Sequence, residues 1–119
     1  MHHASVPTYF GVVRLCSFCV GTHVAIMPQA VVTHDCRVGD YATIAPGVRL
    51  GGGVRIGRGA YVGAGALIRE GVTIGDSALV GMGSVVLSDV PPGQVWAGNP
   101  ARYRRPADLS ETTAGRARR

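Results

Sequence analysis

The strongest constraint on the fold is a six-residue repeat that runs unbroken through residues 20–91. Every sixth residue is a branched aliphatic, twelve in all, and the residue four places further on is always small or β-branched. A period of six fits neither a helix with 3.6 residues per turn nor an isolated strand with alternating faces. It fits short strands joined by regular turns, with both repeated positions pointing inward. The aliphatic positions are Val20, Ile26, Val32, Val38, Ile44, Leu50, Ile56, Val62, Ile68, Ile74, Val80 and Val86.

Three hexads would close one triangular coil, so the repeat predicts an all-β solenoid of four coils: 20–37, 38–55, 56–73 and 74–91. At ~4.8 Å per coil the stack is only about 19 Å tall. Both of its ends expose strand edges, so we expect an oligomer.

The flanking segments are predicted to differ from the repeat. Residues 1–19 are expected to be irregular, because Arg14 and Phe18 would take inward positions if the register continued. Pro91-Pro92 and Gly93 are expected to end the strands, which leaves 92–105 as a loop closing the last coil. Residues 106–119 are predicted to be a disordered basic tail.

The net charge of +5 is unevenly distributed along the 119 residues. The repeat holds five arginines and five acidic residues, whereas the segment 102–119 holds six arginines and two acids. A neutral body argues against a nucleic-acid partner, which needs a basic patch on the folded surface. No apolar run approaches the ~18–20 residues of a membrane span, and no signal peptide is recognisable. Three cysteines without disulfide spacing indicate a cytoplasmic protein.

The repeat resembles that of the hexapeptide acyltransferases, which implies a left-handed parallel β-helix. Val-Thr-His-Asp-Cys at 32–36 is similar to a segment of the sialic-acid O-acetyltransferases and bacterial amino-sugar N-acetyltransferases. Trp-Ala-Gly-Asn-Pro-Ala-Arg at 96–102 is similar to the ending shared by many hexapeptide acetyltransferases. The resemblance covers about residues 20–105 and implies acetyl-CoA as co-substrate and a homotrimer. Members of this group usually add an N-terminal sugar-binding domain, which residues 1–19 do not match.

His34 and Asp35 are the candidate catalytic residues. Taken alone, they could be a solvated turn histidine and a turn-capping aspartate. The resemblance implies instead that His34 is the general base and that Asp35 raises its basicity. An imidazole suits proton removal from a hydroxyl or amine near neutral pH.

Gly52 and Thr43 are the candidate residues around the acetyl group. Gly52 shares the turn position of His34 one coil later, so it should lie ~4.8 Å away. A missing side chain there would leave room for a thioester, and the Gly51–Gly53 run could aim an N–H at the developing oxyanion. A tight turn alone could also require these glycines. Thr43 stands where the N-acetyltransferases often have a second histidine, which favours O-acetylation.

The candidate donor-binding residues fall in two groups. Ala64 and Met82 share one turn position on successive coils, and the resemblance assigns such positions to the channel of the pantetheine arm. The second group should fold over the last coil near the nucleotide of acetyl-CoA, where an arginine could meet a phosphate. Its members are Asn99, Pro100, Ala101 and Arg102.

No metal site is predicted. Cys16, Cys19 and His23 have fragments of zinc spacing but lack a second ligand pair, and Cys36 occupies an inward packing position. The function predicted is acetyl transfer from acetyl-CoA to a sugar hydroxyl or amine, of the sialic-acid or nucleotide-amino-sugar type. The alternatives are a truncated, non-catalytic β-helix scaffold and an acetyltransferase for a small non-sugar acceptor such as serine.

Overall fold

A computed structural model describes residues 13–14 and 19–108, and the six-residue repeat organises most of them. Every regular element there is a β-strand, and most strands are only two residues long. None of the described residues forms a helix able to span a membrane. The strands are β1 (Val13–Arg14), β2 (Cys19–Val20), β3 (Ala25–Ile26), β4 (Val31–Val32), β5 (Arg37–Val38), β6 (Thr43–Ile44), β7 (Arg49–Leu50), β8 (Arg55–Ile56), β9 (Tyr61–Val62), β10 (Leu67–Ile68), β11 (Thr73–Ile74), β12 (Leu79–Val80), β13 (Val85–Val86), β14 (Gln94–Gly98) and β15 (Ala101–Pro106).

The short strands stack in three parallel sheets that form the faces of a triangular prism. Face A contains β3, β6, β9 and β12, face B contains β1, β4, β7, β10 and β13, and face C contains β2, β5, β8 and β11. Each of these strands pairs in parallel with the strand one coil further along, as Val31 does with Arg49. The register confirms the predicted all-β parallel β-helix of about four coils.

The two inward positions of each hexad fill the interior of the prism, as predicted. None of the twelve aliphatic residues exposes more than 6% of its surface, and none of the twelve small residues more than 4%. Ser84 is the only small residue with a hydroxyl group. Its Oγ donates to the Gly81 carbonyl at 2.6 Å and accepts from the Gly98 N–H at 3.2 Å. The buried hydroxyl is therefore fully satisfied.

A left-handed backbone conformation recurs in eleven of the twelve hexads, at the residue just before the small inward residue. From residue 23 to residue 83 these φ angles lie between 54 and 75°, and six of the eleven positions are glycine. A turn of this kind requires a positive φ at its second central residue. Asp35 is one of the non-glycine residues there, and the conformation costs such a residue about 1–2 kcal/mol. The others are His23, Gln29, Tyr41 and Ser77.

One rung precedes the repeat, contrary to the prediction that residues 1–19 do not continue the register. β1 pairs in parallel with β4, with Val13 beside Val31 and Arg14 beside Val32. Main-chain hydrogen bonds hold such a strand, and an open sheet edge accepts any segment that offers them. Residues 1–12 and 15–18, with Cys16 and Phe18, lie outside the described residues.

Residues 92–105, predicted to be a closing loop, are mainly a β-hairpin. β14 extends face A in parallel, with Val95 beside Leu79, and β15 returns antiparallel to β14. The step from Leu79 to Val95 is shorter than a full coil, so the two prolines at 91–92 shorten the last coil without ending face A. The prediction had these prolines end the strand pattern; the six-residue repeat does stop there, but strand structure resumes at Gln94.

The C-terminal tail, predicted to be disordered from residue 106, is ordered at its start. Pro106 ends β15, and the N–H of Ala107 donates to the Gly93 carbonyl at 2.8 Å. Residues 109–119 lie outside the described residues, so the disorder of that segment stays a prediction.

Candidate active site

The predicted site residues lie on two different edges of the prism. The edge between faces B and C is called the His34 edge here, and the edge between faces A and B the Met82 edge. One hydrogen bond per coil joins the turns along each edge, as from the Gly53 N–H to the His34 carbonyl at 3.0 Å. The His34 edge contains His34, Gly52, Glu70 and Ser88, and the Met82 edge contains Pro28, Pro46, Ala64 and Met82.

His34 presents its imidazole to solvent beside the carboxylate of Asp35. The Nδ1 atom of His34 lies 3.3 Å from Oδ2 of Asp35, and the two side chains are 62% and 85% exposed. An ionised carboxylate only accepts hydrogen bonds, so this contact favours a proton on Nδ1 and leaves the Nε2 lone pair available. The contact is longer than the ~2.7–2.9 Å of a charge-assisted hydrogen bond, so Asp35 orients the ring only loosely in the single chain.

Gly52 lies on the next coil, directly beside the imidazole. A Cβ atom on Gly52 would approach His34 Cε1 to 2.5 Å and Nε2 to 2.6 Å. The sequence analysis expected this missing side chain to leave room for a thioester, but in the structure the imidazole ring occupies that space. The glycine is therefore required by the position of His34 itself.

The backbone N–H of Gly52 forms no hydrogen bond to any group within residues 19–108. At the same turn position on the third edge, between faces C and A, aspartate side chains accept the N–H groups of Thr22 and Arg58, each at 2.9 Å. The residue that would cap Gly52 in this way is Glu70, which does not do so. An unpaired N–H thus lies next to the histidine, where it can bind an oxygen with developing negative charge.

Ala64 and Met82 form a narrow strip along the Met82 edge. Ala64 is half-buried, whereas Met82 is 79% exposed. The two turns stack closely because Gly63 has no side chain, and a Cβ atom there would lie 2.6 Å from the Met82 nitrogen. The strip therefore offers mainly backbone and small side chains to anything bound along it.

The C-terminal hairpin adjoins the Met82 edge. The Trp96 carbonyl accepts the Gly81 N–H at 2.9 Å, and Ser84 beneath it accepts the N–H of Gly98. The turn of the hairpin contains a cis Asn99–Pro100 peptide bond. Of its candidate residues, Ala101 is buried at 4% exposure, and Asn99, Pro100 and Arg102 are exposed.

Thr43 occupies neither edge. It lies in β6 on face A, between Ala25 and Tyr61, and is only 7% exposed.

The structure thus brings His34, Asp35 and Gly52 together on one edge. It places Ala64, Met82 and the hairpin along another edge, and the full width of face B separates the two groups within a chain.

The sequence analysis missed two arginines on face C. Arg37 and Arg55 are register partners on neighbouring rungs, and both are exposed. They border a concave groove of 850 Å³ that runs over face C. The sequence signal that indicates these two arginines is their separation by one full coil, the same separation that relates the turn residues along each edge.

The cysteines and histidines of the described part do not assemble a metal site. No group of three histidine, cysteine or acidic side chains there could hold an ion. Cys36 is buried at 1% exposure, and its Sγ donates to the Gly51 carbonyl at 3.3 Å, so its predicted packing role is confirmed. Cys19 is exposed. His23 stacks on Tyr41 with ring centroids 5.1 Å apart, on the third edge.

The repeat matches one protein family by sequence. Residues 20–52 and 53–88 match the family described as bacterial transferase hexapeptide (six repeats). These two matches cover more than half of the chain. No curated protein matches the chain by sequence.

Several solved structures are similar to the chain. The acetyltransferase domain of PglB from Neisseria gonorrhoeae FA1090, in complex with acetyl coenzyme A, is 30% identical with a TM-score of 0.68, over 79% of this chain and 58% of that one. A variant of GDP-perosamine N-acetyltransferase from Caulobacter crescentus, in complex with CoA and GDP-perosamine, is 31% identical with a TM-score of 0.71, over 79% and 53%. WeeI from Acinetobacter baumannii AYE is 33% identical with a TM-score of 0.67, over 79% and 55%. The chain therefore spans a little more than half the length of these proteins.

Proposed function

We propose that this chain transfers an acetyl group from acetyl-CoA to a sugar hydroxyl or amine. The chain belongs to the bacterial transferase hexapeptide family. The observation that carries this proposal is the juxtaposition of His34, Asp35 and the unpaired Gly52 N–H on one edge. The similar structures support the donor, because PglB is described with acetyl coenzyme A and GDP-perosamine N-acetyltransferase with CoA.

His34 would act as general base through Nε2. The Nδ1–H group of His34 donates a hydrogen bond to Asp35, so the unprotonated Nε2 can take the proton of the acceptor O–H or N–H. The acceptor oxygen or nitrogen then bonds to the thioester carbonyl carbon, and the carbon–sulfur bond breaks as the tetrahedral intermediate collapses. The imidazolium returns its proton to the leaving thiolate, which restores neutral His34. Asp35 stabilises the imidazolium between these two proton transfers.

Gly52 would stabilise the oxygen of the tetrahedral intermediate. Its N–H has no intramolecular partner within residues 19–108 and lies beside the ring that takes the proton. Removing one such donor from an oxyanion site typically lowers kcat by ~100- to 1000-fold. This backbone group is therefore assigned the oxyanion role that the sequence analysis predicted.

The complete site would form between two copies of the chain in a homotrimer. Three prisms with face B towards a common axis place the His34 edge of one copy against the Met82 edge of the next. Face B exposes Leu67 by 43% and Leu87 by 49%, large apolar side chains that such packing would shield. Face C of one copy and face A of the next then form the walls of an outer groove, and Thr43 lies on the second wall.

The acetyl donor would lie along the Met82 edge, beside Ala64 and Met82. The narrow, small-lined strip suits an extended arm, and the exposed Asn99, Pro100 and Arg102 of the hairpin would contact the nucleotide end. An acetyl-CoA substrate agrees with the cytoplasmic location that the cysteine count predicts.

Two histidine variants test the proposal. In an assay of free thiol released from acetyl-CoA with an amino-sugar nucleotide or N-acetylneuraminate as acceptor, His34→Ala should lower kcat by ~100- to 10,000-fold. His23→Ala is the matched control, because His23 is an exposed histidine on another edge and should leave kcat unchanged. Equal activity of the two variants would remove His34 from the mechanism, whereas no binding of acetyl-CoA by the wild-type protein would support the non-catalytic scaffold.

A further inference from the structure

The groove on face C contains a pair of arginines that the proposed reaction does not use. Arg37 and Arg55 occupy equivalent outward positions in β5 and β8, so their Cα atoms lie ~4.8 Å apart on adjacent rungs. Neither guanidinium has an ion-pair or hydrogen-bond partner within residues 19–108. Two unpaired cations held side by side form a strong recognition element for an anion.

The groove has the size of a ligand site. Its volume is 850 Å³, within the range of about 300–1,000 Å³ typical of small-molecule pockets. Gly39 and Gly57 follow the two strands and line the groove without side chains next to the arginines. The groove is therefore large enough for a ligand and open along its length.

Three carboxylates also border the groove, and each is engaged by the backbone. The Oδ1 atoms of Asp40, Asp76 and Asp89 accept N–H groups at 2.9 Å each. Asp40 and Asp76 lie on the far rim at the third edge, and Asp89 lies beside the last coil. None of the three forms an ion pair with the arginine pair.

The arginine pair lies close to the catalytic edge. Arg37 is only three residues beyond His34, a span of at most about 10 Å along an extended chain. In the proposed trimer, face C is the wall of the outer groove that begins at His34. A ligand whose anionic group rests on the arginine pair can therefore reach the imidazole with a neighbouring hydroxyl or amine.

We infer that Arg37 and Arg55 bind the phosphate or diphosphate of a phosphorylated acceptor and so determine which acceptor reaches His34. A phosphate group matches the planar donors of both guanidinium groups, which can each bind it through two hydrogen bonds. This assignment rests on the proposed function, because it names the acceptor class of the same site. The donor is excluded from face C in this arrangement, because it lies along the Met82 edge of the neighbouring copy.

Inorganic pyrophosphate is the probe, with binding measured by calorimetry on the full chain. The double variant Arg37→Gln/Arg55→Gln should weaken pyrophosphate binding by at least about tenfold, because it removes two charge-assisted contacts. Arg58→Gln is the matched control, since Arg58 is an exposed arginine on the third edge, over the Tyr41 ring and outside the lining of the groove, and it should leave binding within about twofold. Both arginines of the pair are exposed, so the double variant should keep the thermal midpoint of the wild type.

Four outcomes would overturn the inference. The first three are unchanged pyrophosphate binding in the double variant, an equal loss in Arg58→Gln, and an equal loss of CoA affinity, which would assign the arginine pair to the phosphates of the donor. Titration with N-acetylneuraminate distinguishes a carboxylate ligand, and arginine-dependent binding of that sugar without binding of pyrophosphate would also contradict the inference. Pyrophosphate binding requires no turnover, so absent acetyl transfer would refute the proposed function and leave this result standing.

Discussion

The three glycines at 51–53 should respond differently to alanine, because the structure gives each a different constraint. Gly52 has an ordinary φ, and the three atoms nearest to an added Cβ all belong to the imidazole of His34, with Cε1 at 2.5 Å. That ring is 62% exposed and can swing away. We therefore expect Gly52→Ala to change the free energy of unfolding by less than about 0.5 kcal/mol. It should lower kcat by ~100-fold, because a displacement of about 1 Å in a catalytic group has that effect.

The two flanking glycines are the matched controls. A Cβ on Gly51 would lie 2.7 Å from the nitrogen and 2.9 Å from the Cα of Glu70, and backbone atoms cannot move aside. Gly51→Ala should thus destabilise the fold by ~1–3 kcal/mol, as overpacking does. Gly53 has open space around it but a φ of 73°, so Gly53→Ala should cost about 1 kcal/mol through backbone strain alone.

The assay combines urea unfolding, followed by circular dichroism, with thiol release from acetyl-CoA at a concentration where all variants are folded. The expected result is a separation, in which Gly52→Ala loses activity with stability intact and Gly53→Ala loses stability with kcat nearly intact. The reasoning would be refuted by a fully active Gly52→Ala protein. It would also be refuted by three variants whose losses of activity follow their losses of stability.

Three further variants test other parts of the structure. Asp35→Asn should lower kcat by ~10-fold or more without loss of thermal stability, because an amide stabilises the imidazolium of His34 less than a carboxylate does. An unchanged kcat would remove Asp35 from the mechanism. Leu67→Arg should convert the proposed trimer into monomers in analytical ultracentrifugation, because it adds a third cation to a face that already exposes Arg49 and Arg69, and a persistent trimer would exclude face B as the interface. Ser84→Ala should lower the stability by ~1 kcal/mol in thermal unfolding, because it removes the partner of the part-buried Gly98 N–H. An unchanged midpoint would show that the hairpin does not depend on this contact.

Most of the interior could be predicted because one rule applies to every hexad. The first and fifth residues of each hexad point inward, so spacing alone identified those twenty-four core residues, whereas Ala45, Val95 and Ala101 are buried without following the rule. Ser84 follows the same rule, although its hydroxyl has a second role as acceptor for the hairpin. The repeat could not reveal that role, because the hairpin is not part of the repeat.

The two ends of the described chain could not be predicted, because a different interaction decides them. β1 and β14 are held by main-chain pairing to an open edge, and this depends on the neighbouring strand more than on side-chain pattern. β14 also joins face A after less than a full coil, so a search for the coil period does not detect it.

The neighbourhood of Gly52 and His34 followed from the length of the coil, but its detail did not. The coil predicted their proximity, and the structure adds that the imidazole fills the space over the glycine. The left-handed φ of Asp35 could not be predicted from its residue type either, because five different non-glycine residue types take that conformation in this chain. The sequence did not reveal that face B separates the His34 edge from the Met82 edge, because this depends on the order of the three faces around the prism.

The central claim is that one copy supplies His34 and the next supplies the Met82 edge. It is tested most directly by mixing two variants, His34→Ala and Ala64→Trp, in which the tryptophan blocks the strip for the donor. Each variant alone should be inactive. After dissociation and reassembly of an equal mixture, about one quarter of the sites would combine an intact His34 with an intact Ala64 from the neighbouring copy, because the interface is head-to-tail. Thiol release from acetyl-CoA should therefore return to about a quarter of the wild-type rate. A mixture that reassembles into trimers and stays inactive would contradict the account.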